Sequence, residues 1–304
     1  MRPLRVGVQL PEVEREVRWN EYLAMARAAE DVGFDSVWVG DHLLYRFDSD
    51  RSRGPWEAWT LLAAIAASTS RITLGPLVAC TAFHNPAVLA KQADTLDELS
   101  GGRFVLGLGA GWNEPEFRAF GIPFDHRVSR FEEAFTIIRS LLRDGHVDFG
   151  GRFYQARDCE LVPRGPTRGG PPLLIGSSGE RMLRITMPHA DSWNAWFADH
   201  GNDPAGIGEH RDKVDAACRA VGRDPSAVER TVAVLVAMPG AVGRQTADPE
   251  RQQVSPLGGS PQQIAHGLRA YAAEGIAEVQ LVVDPITQDS IEGLSPVLAL
   301  LDSP

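Results

Sequence analysis

The stretch Arg103–Phe117, RFVLGLGAGWNEPEF, decides how the rest of the chain is interpreted. Phe104 to Leu108 predict a buried β-strand, because the run is short, apolar and bounded by turn residues. A Gly-Ala-Gly-Trp-Asn turn follows directly, and an acidic helix start begins at Glu114. Glycines on alternate positions leave bare backbone that can approach a flat or anionic ligand, and an ordinary βα turn explains the same pattern. The stretch therefore predicts a strand, a turn and a helix.

The glycine-rich turn departs from the two best-known phosphate-binding motifs. Trp112 stands where a dinucleotide-binding fingerprint requires glycine, and no lysine follows as in a P-loop. The turn by itself leaves a cofactor role and a purely structural role open.

Composition sets limits on the class of protein. The chain has 304 residues, 43% of them hydrophobic, and a formal net charge of −10, so a nucleic acid or an anionic membrane is not expected as its partner. Cys80, Cys159 and Cys218 lie far apart, which favours a reduced protein over a disulfide framework. No signal peptide or apolar run of about 20 residues is present, so we predict a cytoplasmic protein without a membrane span.

Eight strand candidates alternate with helical segments along the chain. The predicted strands are Leu4–Leu10, Phe34–Gly40, Ile72–Ala79, Phe104–Leu108, Pro172–Gly176, Asp191–Trp196, Val228–Met238 and Val279–Val283. This count predicts an α/β fold, a single (β/α)8 TIM barrel over residues 1–304 with an insertion after strand 4 at about residues 145–171. A doubly wound open sheet is the alternative.

The connecting segments carry more specific signals. A helix from Trp19 is predicted to stop at Gly33, and Ser260 is predicted to cap another helix. The charged segment Leu43–Trp56 predicts a long loop that covers a site, and His146–Tyr154 predicts a short hairpin followed by irregular chain to Pro171. Residues 241–256 form a polar stretch, predicted to be mobile.

In a TIM barrel the ligand site is built where the strands end, so the strand tails indicate where chemistry is to be expected. They supply Gln9, Asp41-His42, residues 77–81, residues 109–113, Ser177-Ser178-Gly179 and residues 194–196. The set is rich in amide, hydroxyl and backbone donors, and it lacks the paired histidines of a metal-dependent barrel hydrolase, so we predict no metal. His42 is either a hydrogen-bonded structural residue or a catalyst, and Ser177 to Gly179 form either a phosphate seat or an ordinary helix cap.

Five segments follow one another in a specific order: DHLL after strand two, LGPLVACTAFHNPAVLAKQADTLDELSGGR, GLGAGWNEPEF, the helix FEEAFTIIRSLL, and IGSSGERMLRITMPHADSWN. Together they resemble the bacterial luciferase-like monooxygenase superfamily. The nearest branch is that of oxidoreductases dependent on the deazaflavin coenzyme F420, since FMN-using members tend to have Glu-His where Asp41-His42 stands. The resemblance implies a barrel, usually a homodimer, and a non-prolyl cis peptide at Leu77–Val78.

The resemblance also implies roles for particular residues. His42 would be the catalytic residue that faces the reacting carbon. The cofactor would be contacted by Asp41, by Leu77, Val78, Ala79 and Thr81, by Gly109, Gly111, Trp112 and Asn113, and by Gly176, Ser177, Ser178 and Gly179. Sugar-phosphate dehydrogenases of this family have Glu where Trp112 stands, so a sugar phosphate is not expected as the substrate. The aromatic residues at the predicted mouth of the site favour a more apolar substrate.

Three functions follow as hypotheses. The first is an F420-dependent oxidoreductase that transfers a hydride to or from a small organic substrate, with His42 as proton donor or acceptor. The second is an FMN-dependent monooxygenase that uses O₂ and reduced flavin, supplied by a separate reductase. The third is a barrel that binds a ligand without cofactor chemistry.

Overall fold

The protein is described by a computed structural model that covers residues 2–47, 51–243 and 254–303. Its strands are β1 (Arg5–Gln9), β2 (Ser36–Val39), β3 (Tyr45–Arg46), β4 (Ser52–Arg53), β5 (Thr73–Pro76), β6 (Ala79–Cys80), β7 (Leu106–Gly109), β8 (His146–Gly150), β9 (Gln155–Glu160), β10 (Leu173–Ile175), β11 (Ser192–Ala195), β12 (Glu229–Ala237) and β13 (Glu278–Asp284). Its helices are α1 (Trp19–Val32), α2 (Ala58–Ser68), α3 (Pro86–Ser100), α4 (Glu114–Ala119), α5 (Arg127–Asp144), α6 (Glu180–Thr186), α7 (Ile207–Ala220), α8 (Pro261–Ala273), α9 (Gln288–Gly293) and α10 (Ser295–Asp302).

A parallel sheet forms the centre of the fold, in the order β5-β2-β1-β13-β12-β11-β10-β7-β6. The two ends of this order meet, because Leu74 of β5 forms a parallel bridge with Phe104, just before β7. The sheet is thus a nearly closed barrel, and the predicted TIM-barrel fold is confirmed. Within the described residues the sheet has nine strands instead of eight, because the predicted third strand is divided into β5 and β6.

The division of the third strand lies at Leu77 and Val78, where the predicted cis peptide bond is found. Val78 points toward glycines on two neighbouring strand ends. A Cβ atom on Gly109 would lie 2.8 Å from a Val78 methyl group, and one on Gly107 or Gly176 would lie 3.0 Å from it. The bare backbone at Gly107 and Gly109 therefore makes room for the Val78 side chain, and a ligand contact at Gly109 stays a prediction.

The helices cover the outside of the barrel and bury an apolar layer against the strands. The helix α1 ends as predicted at Gly33, which has φ 96° and a backbone N–H that donates to Ala29. Ser260 caps α8 in a capping box with Gln263, which confirms that prediction. None of the helices in the described ranges is both long and apolar enough to cross a membrane.

The predicted irregular segments contain more regular structure than the sequence suggested. The segment after β2 folds into the antiparallel pair β3–β4, and the predicted hairpin near His146 is the pair β8–β9. The β9 strand extends to Glu160, where irregular chain was predicted, and the C-terminal segment forms two helices, α9 and α10. Of the polar stretch 241–256, residues 244–253 lie outside the described part of the chain.

Candidate active site

A cavity of about 950 Å³ opens at the carboxyl ends of the barrel strands. This volume lies at the upper end of the range of about 300–1,000 Å³ that is usual for ligand pockets. Most of the predicted site residues line it: Asp41, His42, Leu77, Val78, Ala79, Gly109, Gly111, Trp112, Gly176 and Ser177. The strand tails thus converge on one cavity, as the barrel topology requires.

Four predicted cofactor residues do not line this cavity. Thr81 is buried and its Oγ1 donates to the carbonyl of Gly109 at 3.3 Å, while Asn113 Nδ2 donates to the carbonyl of Leu44 at 2.8 Å. Ser178 and Gly179 lie just before α6. Thr81 and Asn113 hold the loops that shape the cavity, and a direct cofactor contact from any of the four stays a prediction.

His42 lies between two buried carboxylates. Its Nδ1 is 2.9 Å from Oε1 of Glu116, and its Nε2 is 3.5 Å from Oε1 of Glu12. Because a carboxylate only accepts hydrogen bonds, the short contact places a proton on Nδ1. In the neutral ring, Nε2 is then the atom that can take up a proton, and in the charged ring it can release one.

The same carboxylates set the acidity of His42. Burial alone would lower the pKa of the imidazole, but the negative charges of Glu12, Glu116 and Asp41 outweigh burial and raise the pKa above its ordinary value of 6.5. A raised pKa keeps a substantial fraction of the rings protonated near neutral pH. His42 is therefore suited to exchange protons in either direction.

Glu116 and Glu12 were not identified from the sequence as site residues. Glu116 Oε2 accepts hydrogen bonds from the backbone N–H groups of Leu43 at 2.8 Å and Leu44 at 3.3 Å, so it also anchors the segment after β2. Glu12 Oε1 accepts from the Tyr45 hydroxyl at 3.0 Å. In the sequence Glu116 looked like an ordinary acidic residue in the first turn of a helix, and only its burial shows otherwise.

Asp41 makes contacts that fix the broken third strand. Its Oδ2 accepts from the backbone N–H of Cys80 at 2.9 Å and lies 3.1 Å from Nε2 of His84. Burial, followed by the charge of Asp41, raises the pKa of the Cys80 thiol, so Cys80 stays protonated and is not a nucleophile. The predicted contact of Asp41 with a cofactor ring is compatible with its place on the cavity wall, and it stays a prediction.

One wall of the cavity is aromatic. The ring of Tyr45 is 4.6 Å from His42 and 6.0 Å from Trp112, and Phe47 stacks on Tyr45 at 6.3 Å. On another side Trp196 packs on Phe197 at 4.7 Å. Such walls favour a ligand with a flat or apolar body.

Charge is divided unevenly between the cavity and its surroundings. The lining includes the carboxylates of Glu12, Asp41, Glu116, Asp199 and Asp284, and Arg51 is the arginine among the described lining residues. A smaller pocket of about 310 Å³ lies nearby and is lined in part by His126, Arg127 and Arg181. Arg127 connects the two pockets, since its Nη1 donates to the carbonyl of Gly111 at 3.0 Å. The positive groups thus lie mainly outside the main cavity.

A family model of luciferase-like monooxygenases matches residues 4–247. The chain belongs to this family.

A phthiodiolone/phenolphthiodiolone dimycocerosates ketoreductase of Mycobacterium sp. (strain JLS) is 34% identical over 264 residues, which are 78% of this chain and 66% of that protein. The chain thus spans just under two thirds of the length of this relative.

Solved structures share the fold over the whole chain. An F420-dependent secondary alcohol dehydrogenase in complex with an F420-acetone adduct has a TM-score of 0.83 at 20% identity, and the match covers 100% of both chains. A monooxygenase from Streptomyces bottropensis has a TM-score of 0.80 at 20% identity over 98% of both chains.

Proposed function

We propose that this protein is an oxidoreductase that uses coenzyme F420 to transfer a hydride to or from a small organic substrate. The observation that carries the proposal is His42, a residue of the cavity lining whose Nδ1 is held by Glu116 at 2.9 Å and whose Nε2 lies 3.5 Å from Glu12. The ketoreductase relative and the F420-dependent dehydrogenase of the same fold support this choice.

The residues of the cavity fit such a cofactor. The volume can hold a tricyclic ring together with a small substrate, and Val78, seated against the glycines, presents a smooth apolar surface to a flat ring. Gln9 Oε1 is buried in this cavity without a hydrogen-bond partner among the described residues, as expected of a site built for a polar ligand. When bound, the deazaflavin would supply a two-electron hydride donor or acceptor.

Residues of this chain would bind and orient the cofactor and would transfer a proton. Leu77, Val78 and Ala79 would support one ring face, and Asp41 would contact the ring edge. Gly111 to Asn113 and Ser177 to Gly179 would approach the phosphate, and Arg127 and Arg181 supply positive charge on the Gly111 side. His42 Nε2 would give a proton to a carbonyl oxygen as the neighbouring carbon gains hydride, or take one from a hydroxyl in the reverse direction.

The alternative is an FMN-dependent luciferase-like monooxygenase that uses reduced flavin and O₂, with a separate reductase as its partner. The family assignment and the monooxygenase of the same fold support it. A homodimer is proposed for either function.

Titration of the purified protein with F420 and with FMN, followed by tryptophan fluorescence, tests the proposal. We expect micromolar or tighter binding of F420 and at least about tenfold weaker binding of FMN, a difference of about 1.4 kcal/mol. Tight binding of FMN alone would overturn the first choice in favour of the monooxygenase. Binding of neither would favour a barrel without this cofactor chemistry.

A further inference from the structure

Gln9, the last residue of β1, has an amide group whose two ends lie in different surroundings. The side chain is only 3% exposed and lines the cavity. Its Nε2 donates to Glu12 Oε2 at 3.4 Å, whereas its Oε1 has no hydrogen-bond partner in the described part of the chain. Buried polar atoms without partners are rare in native proteins, so this oxygen requires an explanation.

The orientation of the Gln9 amide follows from chemistry. A carboxylate offers only acceptors, so the amide nitrogen has to face Glu12, and a flipped amide would bring two oxygens together. Oε1 is therefore directed away from Glu12 as an acceptor. It needs an N–H or O–H donor.

A second unpartnered atom lies on the same inner face of the barrel. Gln280 of β13 pairs in register with Gly7, two residues before Gln9, and is fully buried. Its Oε1 accepts from Asn194 Nδ2 at 2.8 Å, which leaves its Nε2 as a donor without a partner among the described residues. Asn194 itself lines the cavity. An acceptor and a donor without partners among the described residues thus lie on the adjacent strands β1 and β13, and of the two residues only Gln9 lines the cavity.

We propose, on the basis of the proposed function, that Gln9 is a specificity-determining residue whose Oε1 accepts a hydrogen bond from an N–H or O–H group of the bound ligand. The N–H group of the cofactor's imide edge is such a donor, and so is a hydroxyl group of the substrate. A site built to bond such a donor rejects analogues that lack it.

The test compares wild type with Gln9→Met, which keeps the length of the side chain and removes both amide atoms. We measure Kd for F420, for FMN and for 3-methyl-FMN, in which the imide N–H is methylated. If the cofactor is the source of the donor, Gln9→Met weakens F420 or FMN about three- to tenfold, the scale of one neutral hydrogen bond. The wild type then discriminates against 3-methyl-FMN, and the variant does not.

If the substrate is the source, cofactor Kd is unchanged and the difference appears with small probes. Wild type then binds cyclohexanol more tightly than methoxycyclohexane, which lacks the O–H donor, and Gln9→Met binds both equally. The binding of these two probes is measured on protein with and without cofactor. It therefore still tests Gln9 if neither cofactor binds and the proposed function fails.

Thermal unfolding of the ligand-free protein separates ligand recognition from misfolding. Gln9→Met removes the unpartnered Oε1, which is stabilising, and the 3.4 Å hydrogen bond from Nε2 to Glu12, which is destabilising, so the unfolding midpoint should stay close to that of wild type. Tyr271→Phe is the matched control, since the Tyr271 hydroxyl is also buried and unpartnered among the described residues but does not line the cavity. Tyr271→Phe should leave the Kd of every probe unchanged. If Gln9→Met binds every probe as wild type does, the inference is wrong, whichever cofactor binds.

Discussion

At the scale of single residues, the imidazole of His42 has one nitrogen for orientation and one for chemistry. Glu116 holds Nδ1 at 2.9 Å, and Glu12 lies near Nε2 at 3.5 Å. The close contact fixes the tautomer, and the longer one adds negative charge without occupying the nitrogen at full hydrogen-bonding distance. The arrangement leaves Nε2 able to meet a substrate.

Replacement of His42 by alanine tests whether the imidazole is catalytic. We expect His42→Ala to leave the Kd of the cofactor nearly unchanged and to lower turnover by at least about a hundredfold, the usual scale of a lost acid-base group. Fluorescence titration and steady-state assays measure the two effects separately. Turnover within a few fold of wild type would assign His42 a structural role.

Replacement of Glu116 by glutamine tests the origin of the raised pKa of His42. Glu116→Gln removes one of the charges that favour the protonated ring, so the pKa of His42 should fall. A titration of the imidazole signals by NMR measures this shift. Glu114→Gln on the same helix is the control, because Glu114 is exposed and should leave the pKa as it is.

The raised pKa also predicts how His42 contributes to stability. Because the folded-state pKa exceeds the unfolded value of about 6.5, the contribution is fully present below that pH and is lost as the pH rises through the folded pKa. The difference in free energy of unfolding between wild type and His42→Ala, from urea denaturation, should therefore decline over this interval. A flat difference would contradict the raised pKa.

At the scale of elements, the interrupted third strand depends on its neighbours. Val78 occupies space that exists only because Gly107, Gly109 and Gly176 lack a Cβ atom, and Asp41 holds the backbone of Cys80 on the far side of the interruption. The shape of this cavity wall is therefore shared between strands that are distant in sequence.

A methyl group on Gly109 should disturb this wall. In Gly109→Ala the new Cβ would lie 2.8 Å from Val78 Cγ2, and we expect a loss of about 1–3 kcal/mol in stability, as for overpacked cores, with weaker cofactor binding. The double variant with Val78→Ala should recover much of the stability. Denaturant unfolding of both variants measures this coupling.

A glycine elsewhere provides the control for this experiment. Gly208 lies in α7, where a methyl group would meet only the flexible end of Arg211, at 4.0 Å. Gly208→Ala should stabilise the protein by up to about 1 kcal/mol through helix propensity. If Gly109→Ala behaved like Gly208→Ala, close packing of Val78 would not determine this wall.

At the scale of the whole molecule, stability and ligand binding are assigned to opposite ends of the barrel. Before β7, Arg103 donates to the carbonyls of Ser100 at 2.7 Å, Ile72 at 2.7 Å and Ala66 at 2.9 Å, which joins α2, α3 and the start of β5. The cavity opens at the other ends of the same strands. Hydrogen bonds at this end of a barrel contribute to stability rather than to catalysis.

Arg103→Met should lower the free energy of unfolding by about 2–3 kcal/mol, because several carbonyls lose a charged donor. The Kd of the cofactor should not change. Arg219→Met is the control, since the exposed Arg219 pairs with Asp215 within α7 and should alter stability by less than about 1 kcal/mol. A change in cofactor affinity in Arg103→Met, measured by the same titration, would contradict the separation of the two ends.

The barrel could be predicted from the sequence because its strands and helices are marked by patterns among neighbouring residues. Strand-length apolar runs, the stop at Gly33 and the cap at Ser260 depend on neighbouring residues, and the structure confirms them. The cis bond at Leu77–Val78 was implied by family resemblance, since no local pattern specifies it. Burial of Glu12 and Glu116 depends on contacts with distant segments, so the sequence could not distinguish these two carboxylates from exposed ones.

Negative groups line the cavity and positive groups lie outside it, so this arrangement of charge would influence the orientation in which a charged ligand enters. Carboxylates line the cavity, and Arg127 and Arg181 lie beyond its Gly111 side. A molecule with a neutral head and a doubly charged anionic tail meets repulsion if the tail leads and attraction if it trails. Such a molecule would be favoured to enter head first, with its head turned toward Val78 and His42. Its orientation would then be selected during entry, before contacts within the site are made.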